Sequence, residues 1–164
     1  MSIPYAICGA MALNEYGYQR MTANVDVLLT PAGLESFKTA WLGRGYVEKF
    51  PGSKGFHDTE HNVMIDVLLT GEYPGDGKPK AVSFPDPEAV AIRGERGALL
   101  PAHALIELKL ASGMTANHRL KDLADVQELI KHASLPRTLG EELDPSVRER
   151  YFELWDAAQI TDPE

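Results

Sequence analysis

Residues Ile7–Leu29 read ICGAMALNEYGYQRMTANVDVLL, and this stretch decides the fold that the sequence predicts. A short β-rich run ends at Gly9, and good helix formers occupy residues 10–16. The segment that begins at Asn24 alternates in polarity, so Asn24 and Asp26 face the same way, about 7 Å apart along a strand. The stretch therefore predicts a strand, a glycine turn, a helix and an acidic strand.

The rest of the chain predicts an α/β (α+β) fold, with a mixed-sheet core over residues 1–100 and a helical C-terminal subdomain over residues 101–164. Thr30 caps a helix that has Pro31 in its first turn. Asp144 and Pro145 begin the last helix in the same way. Further strands are predicted at 46–50, 63–69, 81–84, 89–92 and 98–100, and further helices at 102–111 and 119–131.

The helix predicted at 119–131 is amphipathic. Its apolar residues are expected inside and its charged residues in solvent. The predicted buried side is Leu120, Leu123, Ala124, Leu129 and Ile130, and the predicted polar side is Lys121, Asp122, Asp125 and Glu128.

The composition is that of an ordinary globular protein, with 164 residues of which 24% are charged. The formal net charge of −8 provides no basic field for a nucleic-acid backbone. Any phosphate substrate must therefore be bound locally, by a metal ion, a helix N-terminus or a few cationic side chains. Cys8 is the single cysteine, which excludes an internal disulfide and favours a cytoplasmic setting. The opening residues have no basic residue and contain Pro4, so neither an export signal nor a membrane span is predicted.

Two carboxylates stand inside apolar strands, where an unpaired charge is costly. They are Asp26 and Asp66. If the strands are neighbours, the side chains converge on a site that suits Mg²⁺, which binds one or two carboxylates, water and substrate phosphate oxygens. Such an ion neutralises charge on a transferring nucleotidyl group. The alternative is that both residues only cap exposed edges of the sheet.

Several motifs occur together along the chain: Gly9-Ala10, RMTANVD at residues 20–26, IDVL at 65–68, ELKLA at 107–111 and KDLADV at 121–126. Together they resemble the DNA polymerase beta superfamily of nucleotidyltransferases. Within it, the chain is most similar to small bacterial members related to minimal nucleotidyltransferases and abortive-infection toxin nucleotidyltransferases. The resemblance spans most of the chain.

The resemblance implies a role for each matching residue in binding magnesium and a nucleoside triphosphate. Gly9 and Ala10 would open the helix that receives the triphosphate. Asn24, Asp26 and Asp66 would form the metal site, and Asp66 would also accept the proton of the attacking hydroxyl.

Other polar residues could contact the nucleotide. Arg20 and Thr22 precede the acidic strand and could contact phosphate; the alternative is an ordinary surface Arg and a turn Thr. The resemblance gives Lys109, and less directly Lys121 or Asp122, a part in holding the nucleotide. The alternatives are a lysine that snorkels from an apolar helix at Lys109 and a solvated Lys121–Asp125 pair.

Two departures from the family pattern weaken the case for activity. Ala10 lacks the hydroxyl that Ser would add. Asn24 stands where the family has the first Asp of its pair, and an amide oxygen brings no charge to a hard cation. The chain is therefore either a magnesium-dependent nucleotidyltransferase with altered metal demand or a catalytically impaired relative. An impaired relative would bind a nucleotide or a protein, for example in a toxin–antitoxin or defence pair.

A small molecule, a tRNA and a protein all fit as the acceptor of an active enzyme. Two further short motifs are rejected. HDTEH at residues 57–61 matches an inverted zinc-protease motif, but the neighbouring residues predict a hairpin or loop. Residues 71–78 resemble a phosphate loop, but Pro79 stands where Ser or Thr is needed.

Overall fold

The computed structural model describes residues 2–18 and 24–160. These residues form an α/β fold, in which a mixed sheet of seven strands is accompanied by helices and followed by a helical C-terminal part. The strands are β1 Ala6–Cys8, β2 Asn24–Leu29, β3 Tyr46–Glu48, β4 Gly55–Asp58, β5 Val63–Leu69, β6 Ile92–Gly94 and β7 Gly97–Leu99. The helices are α1 Ala10–Glu15, α2 Pro31–Trp41, α3 Pro87–Val90, α4 Ala102–Thr115, α5 Leu120–His132 and α6 Pro145–Ala158, with short 3-10 helices at Asn117–Arg119 and Arg137–Glu142.

The acidic strands are neighbours in the middle of the sheet, whose order is β3-β4-β5-β2-β1-β7-β6. β2 pairs with β5 in parallel, and Asp26 is the register partner of Asp66. β1 lies antiparallel on the other side of β2 and pairs Cys8 with Asp26. The alternative that both Asp residues cap exposed edges of the sheet is therefore wrong.

The two faces of β2 have different environments, as the alternation predicts. Leu29 packs in a core cluster with Leu34 of α2 and Phe56 of β4. Thr30 caps α2 by accepting a hydrogen bond from the backbone N–H of Gly33 at 2.9 Å, which confirms the predicted cap. The opposite face of β2 carries the polar side chains.

The chain divides into two compact units. The first comprises the described residues of Met1–Glu15, Gln19–Gly71 and Phe84–Leu100, and it contains the whole sheet. The second comprises the described residues of Tyr16–Tyr18, Glu72–Ser83 and Pro101–Glu164. In the second unit, α5 packs against both α4 and α6.

Two predicted strands are absent from the described structure. Residues 81–84 have no regular structure, and residues 87–90 form α3. Asp86 caps this helix by accepting from the N–H of Glu88 at 2.9 Å, and Pro87 takes its first position. A capping Asp followed by Pro is a signal for the start of a helix. Here this signal outweighs the tendency of the following apolar residues to form a strand.

The predicted faces of α5 are wrong in part. Asp122 and Asp125 are buried, with relative exposures of 2% and 4%, whereas Leu120 is 59% exposed. The physical reason is Lys109 of α4, which forms ion pairs with both carboxylates. Periodicity alone treats charged residues as solvent-facing, but a cation on the neighbouring helix makes their burial tolerable.

Among the described residues, no helix is both long enough and apolar enough to cross a lipid bilayer. The prediction that HDTEH at residues 57–61 lies in a hairpin or loop is confirmed. His57 lies on β4, and a turn at residues 59–62 connects β4 to β5 as a hairpin.

Candidate functional site

A row of residues crosses the sheet at one level and defines the candidate site. Gly55 of β4 pairs with Asp66 of β5, Asp66 pairs with Asp26 of β2, and Asp26 pairs with Cys8 of β1. Side chains of register partners on adjacent strands point to the same face of a sheet. The two carboxylates that the sequence singled out are therefore brought together.

Gly9 lies directly against the Asp26 carboxylate. It follows β1 with a φ of +72°, and a Cβ atom at this position would collide with Asp26 Oδ2. Any other residue type is strained there, because the backbone is left-handed and an added Cβ would force the Asp26 carboxylate to move. Ala10 begins α1 immediately afterwards. The glycine turn predicted from the sequence therefore adjoins the acidic strand.

Asn24 takes part in the site as a hydrogen-bond donor. Its Nδ2 donates to Asp66 Oδ2 at 3.0 Å. The amide therefore satisfies one oxygen of the carboxylate on the neighbouring strand. An Asp at this position would instead present a second negative charge to Asp66, so the residue type changes the electrostatics of the site.

Lys49 is the member of the site that sequence reasoning missed. Its Nζ donates to Asp66 Oδ1 at 2.6 Å, and the Lys49 and Asp66 side chains are 28% and 37% exposed. A lysine inside the strand predicted at residues 46–50 has no distinguishing pattern in one sequence. Its placement depends on how β3, β4 and β5 are ordered in the sheet.

The two acidic side chains of the site are of the chemical type that binds a magnesium ion. Asp26 and Asp66 offer carboxylates on one face, and the usual magnesium site in a phosphotransfer protein has one or two of these plus substrate phosphates. Among the described residues, no group of three or more His, Cys, Asp or Glu is placed to hold a metal. The side-chain oxygen of Asn24, water and the phosphates of a substrate are further possible ligands of such an ion.

Two predicted phosphate contacts, Arg20 and Thr22, lie outside the residues that the structure describes. They remain predictions from the sequence.

Lys109 belongs to a buried network in the second unit, and the snorkelling alternative is wrong. Its Nζ donates to Asp122 Oδ1 at 3.3 Å and to Asp125 Oδ2 at 2.9 Å. Ser112 and Arg119 also donate to Asp122. Lys121 is exposed while Asp125 is buried, so the expected solvated pair is wrong as well.

The environment of Asp122 keeps it ionised. Burial raises the pKa of its carboxyl, but Lys109, the Ser112 hydroxyl and Arg119 together outweigh burial, so the pKa lies below its usual value. Opposite charges and hydrogen bonds to the charged form both favour ionisation. The network can therefore hold α4 and α5 together as a charged cluster.

The hairpin at residues 57–61 has its own polar contacts. Asp58 accepts from the backbone N–H groups of Glu60 and His61 and pairs with His61 Nδ1 at 3.0 Å. The hydrogen bond that His61 donates to the Asp58 carboxylate is the main cause that raises the pKa of His61. His57 instead contacts Asn62 at 2.8 Å. These contacts close a turn, as expected for a hairpin.

Comparison with known proteins gives no family: no family model and no curated protein sequence matches the chain.

Proposed function

We propose that the protein transfers a nucleoside monophosphate from a nucleoside triphosphate to a hydroxyl of an acceptor, which is a small molecule, a tRNA or a protein. The observation that carries the proposal is the register pairing of Asp26 with Asp66 in the middle of the sheet. The approach of Gly9 to Asp26 supports it, because the glycine turn and the acidic strand form one locus.

In this proposal Asp26 and Asp66 hold magnesium, which when bound neutralises charge on the transferring group. Asp66 also accepts the proton of the attacking hydroxyl. Lys49 and Asn24 each donate one hydrogen bond to it. A carboxylate has about four lone-pair sites, so Asp66 retains capacity to accept a proton. With its single cysteine, the protein is proposed to act in the cytoplasm.

A second candidate is a catalytically impaired relative that binds a nucleotide or a protein partner in a toxin–antitoxin or defence system. The contacts of Asp66 favour it specifically. One of its oxygens accepts from a neutral amide where the family has a carboxylate, and the other accepts from an ammonium. Both features lower the negative charge that attracts a divalent cation.

The proposal is tested by pyrophosphate release and thermal shift with each nucleoside triphosphate and magnesium. We expect both signals in the natural chain, and loss of pyrophosphate release in Asp26→Asn and Asp66→Asn. Glu88→Gln is the matched control, because it removes an exposed carboxylate of the same unit on α3. If the natural chain gives neither signal, nucleotidyl transfer is refuted.

Asn24→Asp separates the two candidates. The substitution replaces a donor 3.0 Å from Asp66 Oδ2 by a like charge, so without metal we expect a loss of about 1–2 kcal/mol in the free energy of unfolding at this part-exposed site. A large gain of transfer activity with magnesium would identify the natural chain as impaired. A loss of activity would show that Asn24 suits an active site with altered metal demand.

A further inference from the structure

The side chain of Lys49 reaches Asp66 by crossing the strand that lies between them. Lys49 follows β3, and its backbone N–H donates to the carbonyl of Gly55 on β4 at 3.0 Å. Gly55 is in turn the register partner of Asp66 on β5. Lys49 must therefore extend across the position of Gly55 to place its Nζ 2.6 Å from Asp66 Oδ1.

Gly55 provides the space for this crossing. A Cβ atom at Gly55 would stand 2.6 Å from Lys49 Cδ and 2.9 Å from Lys49 Cε. Real side chains do not approach so closely. The missing side chain at Gly55 therefore lets the Lys49 methylene chain lie on β4 and directs its ammonium to the acidic pair.

The ammonium changes the charge of the site. Lys49 offsets the negative charge of Asp66, with which it forms an ion pair at 2.6 Å. Asn24, which donates to the same carboxylate, is neutral. A divalent cation that approaches Asp66 therefore encounters the Lys49 ammonium, which already contacts this carboxylate. The positive charge of the ammonium opposes binding of the cation by Coulomb repulsion.

We infer that Lys49 is a built-in cation that competes with a divalent metal ion for the Asp66 carboxylate and so weakens metal binding by the free protein. The inference rests on the proposed function, since it concerns the same metal site. Lys49 is then a positioning residue, which acts on the metal through Asp66. Its ammonium lowers the negative charge of the site before a substrate arrives, and a metal ion that binds Asp66 displaces the ammonium.

The test measures binding of Mn²⁺, a spectroscopic substitute for Mg²⁺, to the full chain without nucleotide by electron paramagnetic resonance. We expect Lys49→Gln to tighten binding on the order of tenfold, because a unit charge about 5 Å from a divalent ion opposes it by that much in a water-like dielectric. Gly55→Ala keeps every charge but obstructs the Lys49 side chain, so we expect it to tighten binding as well.

Two controls separate competition from a general charge effect. Lys49→Arg keeps the cation and is expected to bind Mn²⁺ like the natural chain. Lys38→Gln removes one positive charge from a lysine of the same unit that pairs with Glu48 at 3.6 Å, and it is also expected to leave the affinity unchanged.

The outcomes distinguish this inference from the proposed function. If Lys49→Gln binds Mn²⁺ no more tightly than the natural chain while Asp66→Asn weakens binding, Lys49 is not a competitor but the metal site stands. If Lys38→Gln tightens binding as much as Lys49→Gln, the effect is general charge and the inference is overturned. If no variant binds Mn²⁺ without nucleotide, the inference is overturned, whereas the proposed transfer is judged separately by pyrophosphate release in the presence of nucleotide and magnesium.

Discussion

Substitution of Lys109 by Met tests the buried charge network of the second unit. The ammonium lies 3.3 Å from Asp122 Oδ1 and 2.9 Å from Asp125 Oδ2, and the three side chains are 10% or less exposed. Removing one partner of a buried ion pair costs about 3–5 kcal/mol, because it leaves an uncompensated charge. Since Arg119 and Ser112 still donate to Asp122, we expect a loss near the lower end, about 3 kcal/mol.

The assay is urea unfolding followed by circular dichroism at pH 7. Lys121→Met is the matched control, because it removes the same charge from an exposed position of α5, and we expect it to change the free energy of unfolding by less than about 0.5 kcal/mol. The double variant Lys109→Met with Asp125→Asn should recover at least about 1 kcal/mol by removing one buried charge. The reasoning is refuted if Lys109→Met costs no more than Lys121→Met.

Further predictions concern the glycine turn and the pH dependence of stability. Gly9→Ala should destabilise the protein by about 1–3 kcal/mol more than Gly43→Ala. Both positions have left-handed backbone, but a Cβ at Gly9 meets the Asp26 carboxylate whereas a Cβ at Gly43 meets no atom within 4 Å; equal melting temperatures would contradict this. The pKa of Asp122 is lowered by folding, so its stabilising contribution is present above its unfolded pKa of about 3.9 and is lost as pH falls through the lower folded value. The urea concentration at the unfolding midpoint, measured from pH 7 to pH 3, should decrease once the pH is below about 4. A midpoint that does not change with pH would show that Asp122 does not contribute.

The central strands and the capped helices could be predicted from the sequence because their determinants are local. The period-two pattern predicts a strand at Asn24–Leu29, and β2 begins and ends at these residues. Thr30 with Pro31 begins α2, and Asp144 with Pro145 begins α6. Period-two alternation and capping residues act within a few residues of each other, so one sequence is enough to read them.

The features of the structure that the sequence did not predict depend on contacts between residues that are distant in sequence. Asp122 and Asp125 carry the charge of surface residues, and only the position of Lys109 on α4 makes them buried. Lys49 joins the site because the strand order brings it beside Gly55, and Gly55 beside Asp66. Pairing across helices and strands is set by tertiary structure, which local patterns do not encode.

The most direct test of the candidate site is a crystal structure of the chain with a non-hydrolysable nucleoside triphosphate and magnesium. We predict metal density in contact with the carboxylates of Asp26 and Asp66, with the triphosphate beside Gly9 and the Lys49 ammonium displaced from Asp66 Oδ1. Nucleotide bound elsewhere, or an intact Lys49–Asp66 ion pair with no metal at saturating nucleotide and magnesium, would contradict a metal-dependent nucleotidyltransferase site at these residues.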